Sequence, residues 1–192
     1  MIHSFRIHSV LLLSLLLYLT GGECIGQKYL TRNGYVHFKS NAKVDDDVEA
    51  VNHSMACALD AQTGEIVFTV LIKNFTFRKA LMQEHFNENY MESDKFPRAT
   101  YKGIIVDHSK IDFSKSGKHK VKLAGTLTIR DIPKYREDDA ELEIRDGTLV
   151  LTSSFGVACA DHDIKIPKLV EDKLAKVIDV DFKVELKEIP GK

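Results

Sequence analysis

Between residues 118 and 130 the chain alternates without interruption. His119, Val121, Leu123, Gly125, Leu127 and Ile129 fall on one side, and Lys118, Lys120, Lys122, Ala124, Thr126, Thr128 and Arg130 on the other. Successive side chains of a β-strand point to opposite faces, so this run predicts a strand with one apolar and one wetted face. Antiparallel sheets can leave a face to water, whereas parallel sheets are covered on both sides and read as continuous apolar runs. The pattern therefore points to an antiparallel sheet with a single buried side.

The same period returns along the chain. Ile178, Val180, Phe182, Val184 and Leu186 oppose Asp179, Asp181, Lys183, Glu185 and Lys187, and Ala140, Leu142 and Ile144 oppose Glu141, Glu143 and Arg145. Asp146-Gly147 then leads into Leu149, Leu151, Ser153, Phe155, Val157 and Cys159. Asp-Gly between two alternating runs is a strong hairpin signal, because both central positions of such a turn need positive φ. Upstream, Val51, His53, Met55, Cys57 and Leu59 share a parity, and Ala61 to Gly64 turns the chain into a run starting at Glu65. Phe75 and Phe77 stand on the opposite parity from Phe68 and Val70. That shift predicts a bulge or bend near Lys73-Asn74.

Two segments break the period. Over residues 78–91, Met82, Phe86 and Tyr90 recur every fourth position beside Leu81, and over 167–177, Val170, Leu174 and Val177 follow a proline at helical spacing. Both are predicted as short helices. About eight long strands with two short helices fit a mainly β fold, a closed or nearly closed antiparallel barrel rather than a sandwich. A barrel of that size has room for side chains or for one slender ligand.

The N-terminus fixes the expected compartment. Arg6 precedes a dense apolar run over residues 10–19, followed by Thr20, Gly21 and Gly22. This is the layout of a secretory signal peptide, and the run falls well short of the about 20 residues a membrane-spanning helix needs. We expect residues 1–26 to be a signal peptide and 27–192 a single domain, periplasmic or secreted, with no transmembrane span in the mature chain. Glu23 stands where a lipoprotein site wants a small residue, which argues against a lipid anchor on Cys24. Lys and Arg number 27 against 28 Asp and Glu, a formal net charge of −1, so the basic excess of a nucleic-acid binder is missing.

Cys57 and Cys159, each between two alanines, are a possible disulfide in an oxidising compartment and otherwise two small buried hydrophobes. The histidines are scattered singly, without the spacing that puts two on one helix face, so no metal and no other cofactor is expected. Asp161-His162-Asp163 reads as a turn. No Gly-x-Ser-x-Gly elbow appears, and Glu84-His85 is the best acid–base candidate without an orienting third group. No catalytic residue is assigned. The two sequons, at Asn52 and Asn74, lie in predicted strands and carry no weight.

One segment is distinctive in its residues. Leu81-Met82-Gln83-Glu84-His85-Phe86-Asn87-Glu88-Asn89-Tyr90 gives way to acidic Glu92-Ser93-Asp94, then Phe96-Pro97, then Ala99-Thr100-Tyr101. It closely resembles the YceI-like, polyisoprenoid-binding family, whose members carry a helix with a His and aromatics, an acidic turn, an aromatic-Pro pair and an Ala-Thr-aromatic strand. Gly34-Tyr35-Val36-His37-Phe38 looks like the family's opening strand, though without the His-Ser pair of its best-known members. Residues 155–167 look like its penultimate region.

The resemblance implies a lipocalin-like barrel whose interior holds an isoprenoid quinone, a polyprenyl chain or a fatty amphiphile. Met55, Phe68, Val70, Leu123, Leu127, Leu142, Phe155 and Phe182 are the expected cavity wall. Met82, His85, Phe86 and Tyr90 are the expected mouth. The alternatives are a hydrolase or isomerase acting on a small lipid or acid, and a ligand-free structural or stress-response module.

Overall fold

The structure is a computed structural model that describes residues 27–40, 48–166 and 175–190. The expected signal peptide, residues 1–26, lies outside them, as does most of the helix expected over 167–177. Val177, the last residue of that expected helix, instead begins a strand.

The strands are β1 (Lys28–Ser40), β2 (Val48–Asp60), β3 (Glu65–Leu71), β4 (Thr76–Phe77), β5 (Arg98–Ile105), β6 (Gly117–Ile129), β7 (Ile132–Arg145), β8 (Thr148–Ala158) and β9 (Val177–Glu188). Their order in the sheet is β1-β9-β8-β7-β6-β5-β3-β2, with β4 beside β2, and β1 pairs with β2 to close the cylinder. Every pairing is antiparallel. The result is the closed eight-stranded antiparallel barrel that the alternation predicted.

Local chemistry explains the turns. Asp146 and Gly147 have φ of 46° and 77°, as the Asp-Gly pair predicted, and Arg130 and Asp131 make a second two-residue turn with φ of 50° and 60°. That second turn gives β6 and β7 a continuous ladder from Gly117↔Ile144 to Ile129↔Ile132. Pro133 is tolerated because β7 pairs with β8 only from Ala140 onward, so the proline breaks no bond on that side. Outward lysines of β6 meet outward acids of β7, as in Lys118–Glu141 and Lys122–Glu137.

The expected bend at Lys73-Asn74 is a 3-10 turn over Ile72–Asn74. It resets the parity, so Phe68 on β3 and Phe75 and Phe77 beyond the turn are all buried. A shift also occurs within β2. Met55, Cys57 and Leu59 are buried as expected, but the β1–β2 register slips between Gly34 and Val36, and beyond it Asn52 and Ala50 turn inward in place of His53 and Val51. Asn52 is held there by donating from Nδ2 to Leu71 O at 3.0 Å and accepting from Ser54 N at 2.8 Å.

The one helix among the described residues, α1 (Ala80–His85), continues as a wider π-helical turn over Phe86–Tyr90, marked by the bond from Met91 N to Phe86 O at 2.9 Å. It lies in the connection between β4 and β5.

Candidate functional site

The inward positions divide the barrel along its length. In one half, the rows Leu142–Leu151–Val184 and Ile144–Leu149–Leu186 run across β7, β8 and β9 and are at most 1 % exposed. Tyr29, Leu59, Ile66 and Ile105 are buried with them, and Gly34 is needed because a Cβ there would lie 2.7 Å from Val184 Cγ1. In the other half the strands surround a cavity of about 600 Å³, overwhelmingly apolar in its lining. That volume falls within the range of small-molecule sites.

Of the expected wall, Met55, Phe68, Val70, Leu123, Leu127, Phe155 and Phe182 all line this cavity. Leu142 does not. It is fully buried in the packed half, so its assignment to the wall is corrected: inward parity does not say which half a residue occupies. The four expected mouth residues, Met82, His85, Phe86 and Tyr90, also line the cavity, brought over it by α1 and the π-helical turn. His85, the last residue of α1, is exposed.

Several lining residues escaped the sequence reading. Phe38, Phe75 and Phe77 gather around Phe86, with ring centroids 5.4, 5.6 and 5.0 Å from it, and so fasten the helix over the cavity. A second aromatic group lies along the wall, with Phe68 5.0 Å from Phe182 and 5.9 Å from Tyr101. Arg136 and Asp138 also line the cavity. Carrying the Ala140, Leu142, Ile144 parity two steps further back would have placed them inward.

The helix is latched from its far end. Arg130, at the β6–β7 turn, donates from Nη1 to Tyr90 O at 2.6 Å and pairs with Glu92, while its guanidinium stands 5.1 Å from the centre of the Phe96 ring. The distinctive segment of the sequence is thus one structural unit: a helix, the acidic turn that receives Arg130, and the aromatic that Arg130 covers.

The possible Cys57–Cys159 disulfide is not formed; both cysteines are free and buried. Cys57 lies on β2 and Cys159 just after β8, with β1 and β9 between those strands. Three strand spacings of about 4.8 Å exceed the roughly 7 Å that a bridge allows between Cα atoms. Burial pushes both thiols up from their ordinary pKa, which keeps them protonated.

A family model described as the YceI-like domain matches residues 31–186. The chain belongs to the YceI-like family. Among solved structures, it is similar to a polyisoprenoid binding domain from Saccharophagus degradans, described as implicated in plant cell wall breakdown, at 12% identity and a TM-score of 0.74, covering 85% of this chain and 99% of that one. BcnA of Burkholderia cenocepacia aligns at 13% identity and a TM-score of 0.66, over 80% of this chain and 95% of its own. The YceI protein of Campylobacter jejuni aligns at 16% identity and a TM-score of 0.55, over 84% and 86%. At these identities the likeness to the solved YceI-like structures is one of fold. A search of curated proteins gives no significant match.

Proposed function

We propose that this YceI-like protein takes up an elongated apolar ligand, an isoprenoid quinone, a polyprenyl chain or another fatty amphiphile, and sequesters or carries it outside the cytoplasm. The observation that carries the reading is the apolar cavity of about 600 Å³ under an aromatic-lined helix. Burying roughly 20 ligand carbons at about 0.8 kcal/mol per methylene gives a large gross driving force, much of it offset by ordering costs. Such a ligand needs a closed apolar chamber and no bond-making group. The polyisoprenoid-binding character of the Saccharophagus degradans domain supports the same ligand class. Export is read from Arg6, the apolar run over 10–19 and Gly21-Gly22. N-terminal sequencing of the protein from its own cells should find a start within residues 23–27, and an intact Met1 would overturn export.

Leu127→Trp tests the chamber. Leu127 lines the cavity, whereas Thr126, its neighbour on β6, does not. The added rings should occupy ligand volume and abolish lipid binding, while an existing void absorbs them with less than the about 1–3 kcal/mol that overpacking a filled core costs. Thr126→Trp should bind as the unaltered protein does. Native mass spectrometry of both variants and the wild type, with melting temperatures alongside, reads the result. Retained lipid binding by Leu127→Trp overturns the proposal.

A further inference from the structure

Among the strand residues that line the cavity, the charged ones are Arg136 and Asp138, both on β7; Lys79 and His85 line it from the helix side, and Thr100 and Tyr101 from β5. Arg136 donates from Nε to Asp138 Oδ2 at 2.5 Å and from Nη2 to Oδ1 at 2.6 Å, a two-point ion pair with side chains only 19% and 11% exposed. Nη2 also donates to Gly156 O at 3.1 Å, across the stretch where β7 and β8 have parted, and the guanidinium stands 4.2 Å from the centre of the Phe155 ring. Nη1 has no protein partner among the described residues.

Tyr101 brings a third polar group to the same place. Gly103 on β5 pairs with Gly125 on β6, and Gly125 with Arg136 on β7. A Cβ on Gly103 would stand 2.8 Å from Tyr101 Cε1, and one on Gly125 2.8 Å from Cζ. The ring therefore lies in the trough that the two glycines leave, and it carries its hydroxyl toward the pair on β7. That hydroxyl is buried with no hydrogen-bond partner among the described residues. Burial pushes its pKa up to about 12, with the Asp138 carboxylate adding to the rise, so it keeps its proton.

Neither feature serves a chamber that only has to be greasy. Apolar residues of similar volume do as well as a buried ion pair or better, and a buried hydroxyl left unpaired carries its desolvation cost uncompensated. We infer that Tyr101, Arg136 and Asp138 form a polar subsite for a neutral, hydrogen-bond-accepting oxygen of the ligand, a carbonyl or ether rather than a carboxylate. Arg136 Nη1 and the Tyr101 hydroxyl are its donors. Asp138 already balances the guanidinium and repels a second anion. The inference rests on the lipid reading above and adds to it the chemistry of the ligand's polar group.

Displacement of the fluorescent probe N-phenyl-1-naphthylamine by three ligands of one chain length, hexadecane, methyl palmitate and palmitate at alkaline pH, tests it on the exported form of the full protein. Methyl palmitate should bind roughly tenfold tighter than hexadecane, as one hydrogen bond to a charged donor predicts, and palmitate more weakly than its ester. In the double variant Arg136→Met, Asp138→Leu the affinity for the ester relative to hexadecane should fall severalfold, to what the Tyr101 hydroxyl alone supports. Asp138→Asn should reverse the order of ester and carboxylate, since it leaves the guanidinium unbalanced.

Equal affinity of the wild type for ester and hexadecane overturns the subsite and leaves the lipid reading standing. Failure of all three ligands to displace the probe overturns both. If the double variant does not fold, an unchanged ratio of palmitate to ester in Asp138→Asn overturns the subsite by itself.

Discussion

On β7 the inward residues Leu142 and Ile144 are sealed in packed side chains, whereas Arg136 and Asp138, inward on the same strand, face an open chamber. On β9, Val184 and Leu186 pack while Phe182, Val180 and Ile178 line the void. The two halves share strands, pairing and parity, so alternation alone does not decide between filling and hollowness. What differs is how side chains meet across the barrel. In the packed half aliphatic residues of β7, β8 and β9 stand in continuous rows. In the hollow half the rings of Phe68, Phe182 and Phe155 lie against one another along the wall, with centroids 5.0 and 6.3 Å apart, and leave the centre empty.

Truncation separates the halves most sharply. Leu142→Ala removes a fully buried side chain from a filled region, and the transfer and cavity terms together should cost about 2–5 kcal/mol. Leu127→Ala borders space that is already empty, so it should cost about 1 kcal/mol or less, because few packing contacts are lost there. Denaturant unfolding of the two variants gives both numbers. Equal costs would mean that the chamber is as tightly filled as the other end.

The latch on the helix gives the next largest effect. Arg130 is 12% exposed and holds both the Tyr90 carbonyl and Glu92, so Arg130→Ala should cost about 1.5–3 kcal/mol, the range for hydrogen bonds to a charged group. The loss should be local: amide exchange should rise across residues 80–93 and stay unchanged in β8 and β9. A uniform rise over the whole barrel would show that the helix is an integral part of the packed structure rather than a separately secured cover.

How far these features were legible follows from the same contrast. Parity was readable in β6, β8 and β9 because water on one face and apolar contacts on the other impose a strict period. Asp146-Gly147 was readable because its backbone conformation favours those residue types. Position along the barrel axis was not, since strand tilt and register decide which residues share a row, and Leu142 was misplaced for that reason. A register slip hid the inward turn of Asn52, and opposite parities on either side of Ile72–Asn74 obscured Phe75 and Phe77 as lining residues. Arg136 and Asp138 were passed over because charged residues in a strand read as solvent-facing, when they are the polar part of the chamber. Cys57 and Cys159 were considered as a pair on shared inward parity, but inward side chains on separated strands need not be near each other.

The smallest expected effect concerns the flank where β7 and β8 separate. His162 closes it from the 3-10 turn over Cys159–His162: it is 2% exposed, and Nδ1 donates to Ile132 O at 3.1 Å. Burial lowers its pKa from the ordinary 6.5, and the hydrogen bond to the Ile132 carbonyl opposes that shift only in part. A lowered folded-state pKa means that the unfolded chain binds the proton first. The stability linked to His162 is therefore fully present above about pH 6.5 and is lost as pH falls from there through the folded-state value. His162→Gln keeps a donor for Ile132 O and removes the titration. Melting temperatures taken from about pH 7.5 down to about pH 5, above the range where most carboxylates titrate, should fall more steeply for the wild type than for the variant. The remaining histidines are common to both proteins, so the difference in slope belongs to position 162. Parallel slopes would mean that His162 accepts its proton inside the fold, and that the flank between β7 and β8 is open enough to hydrate it.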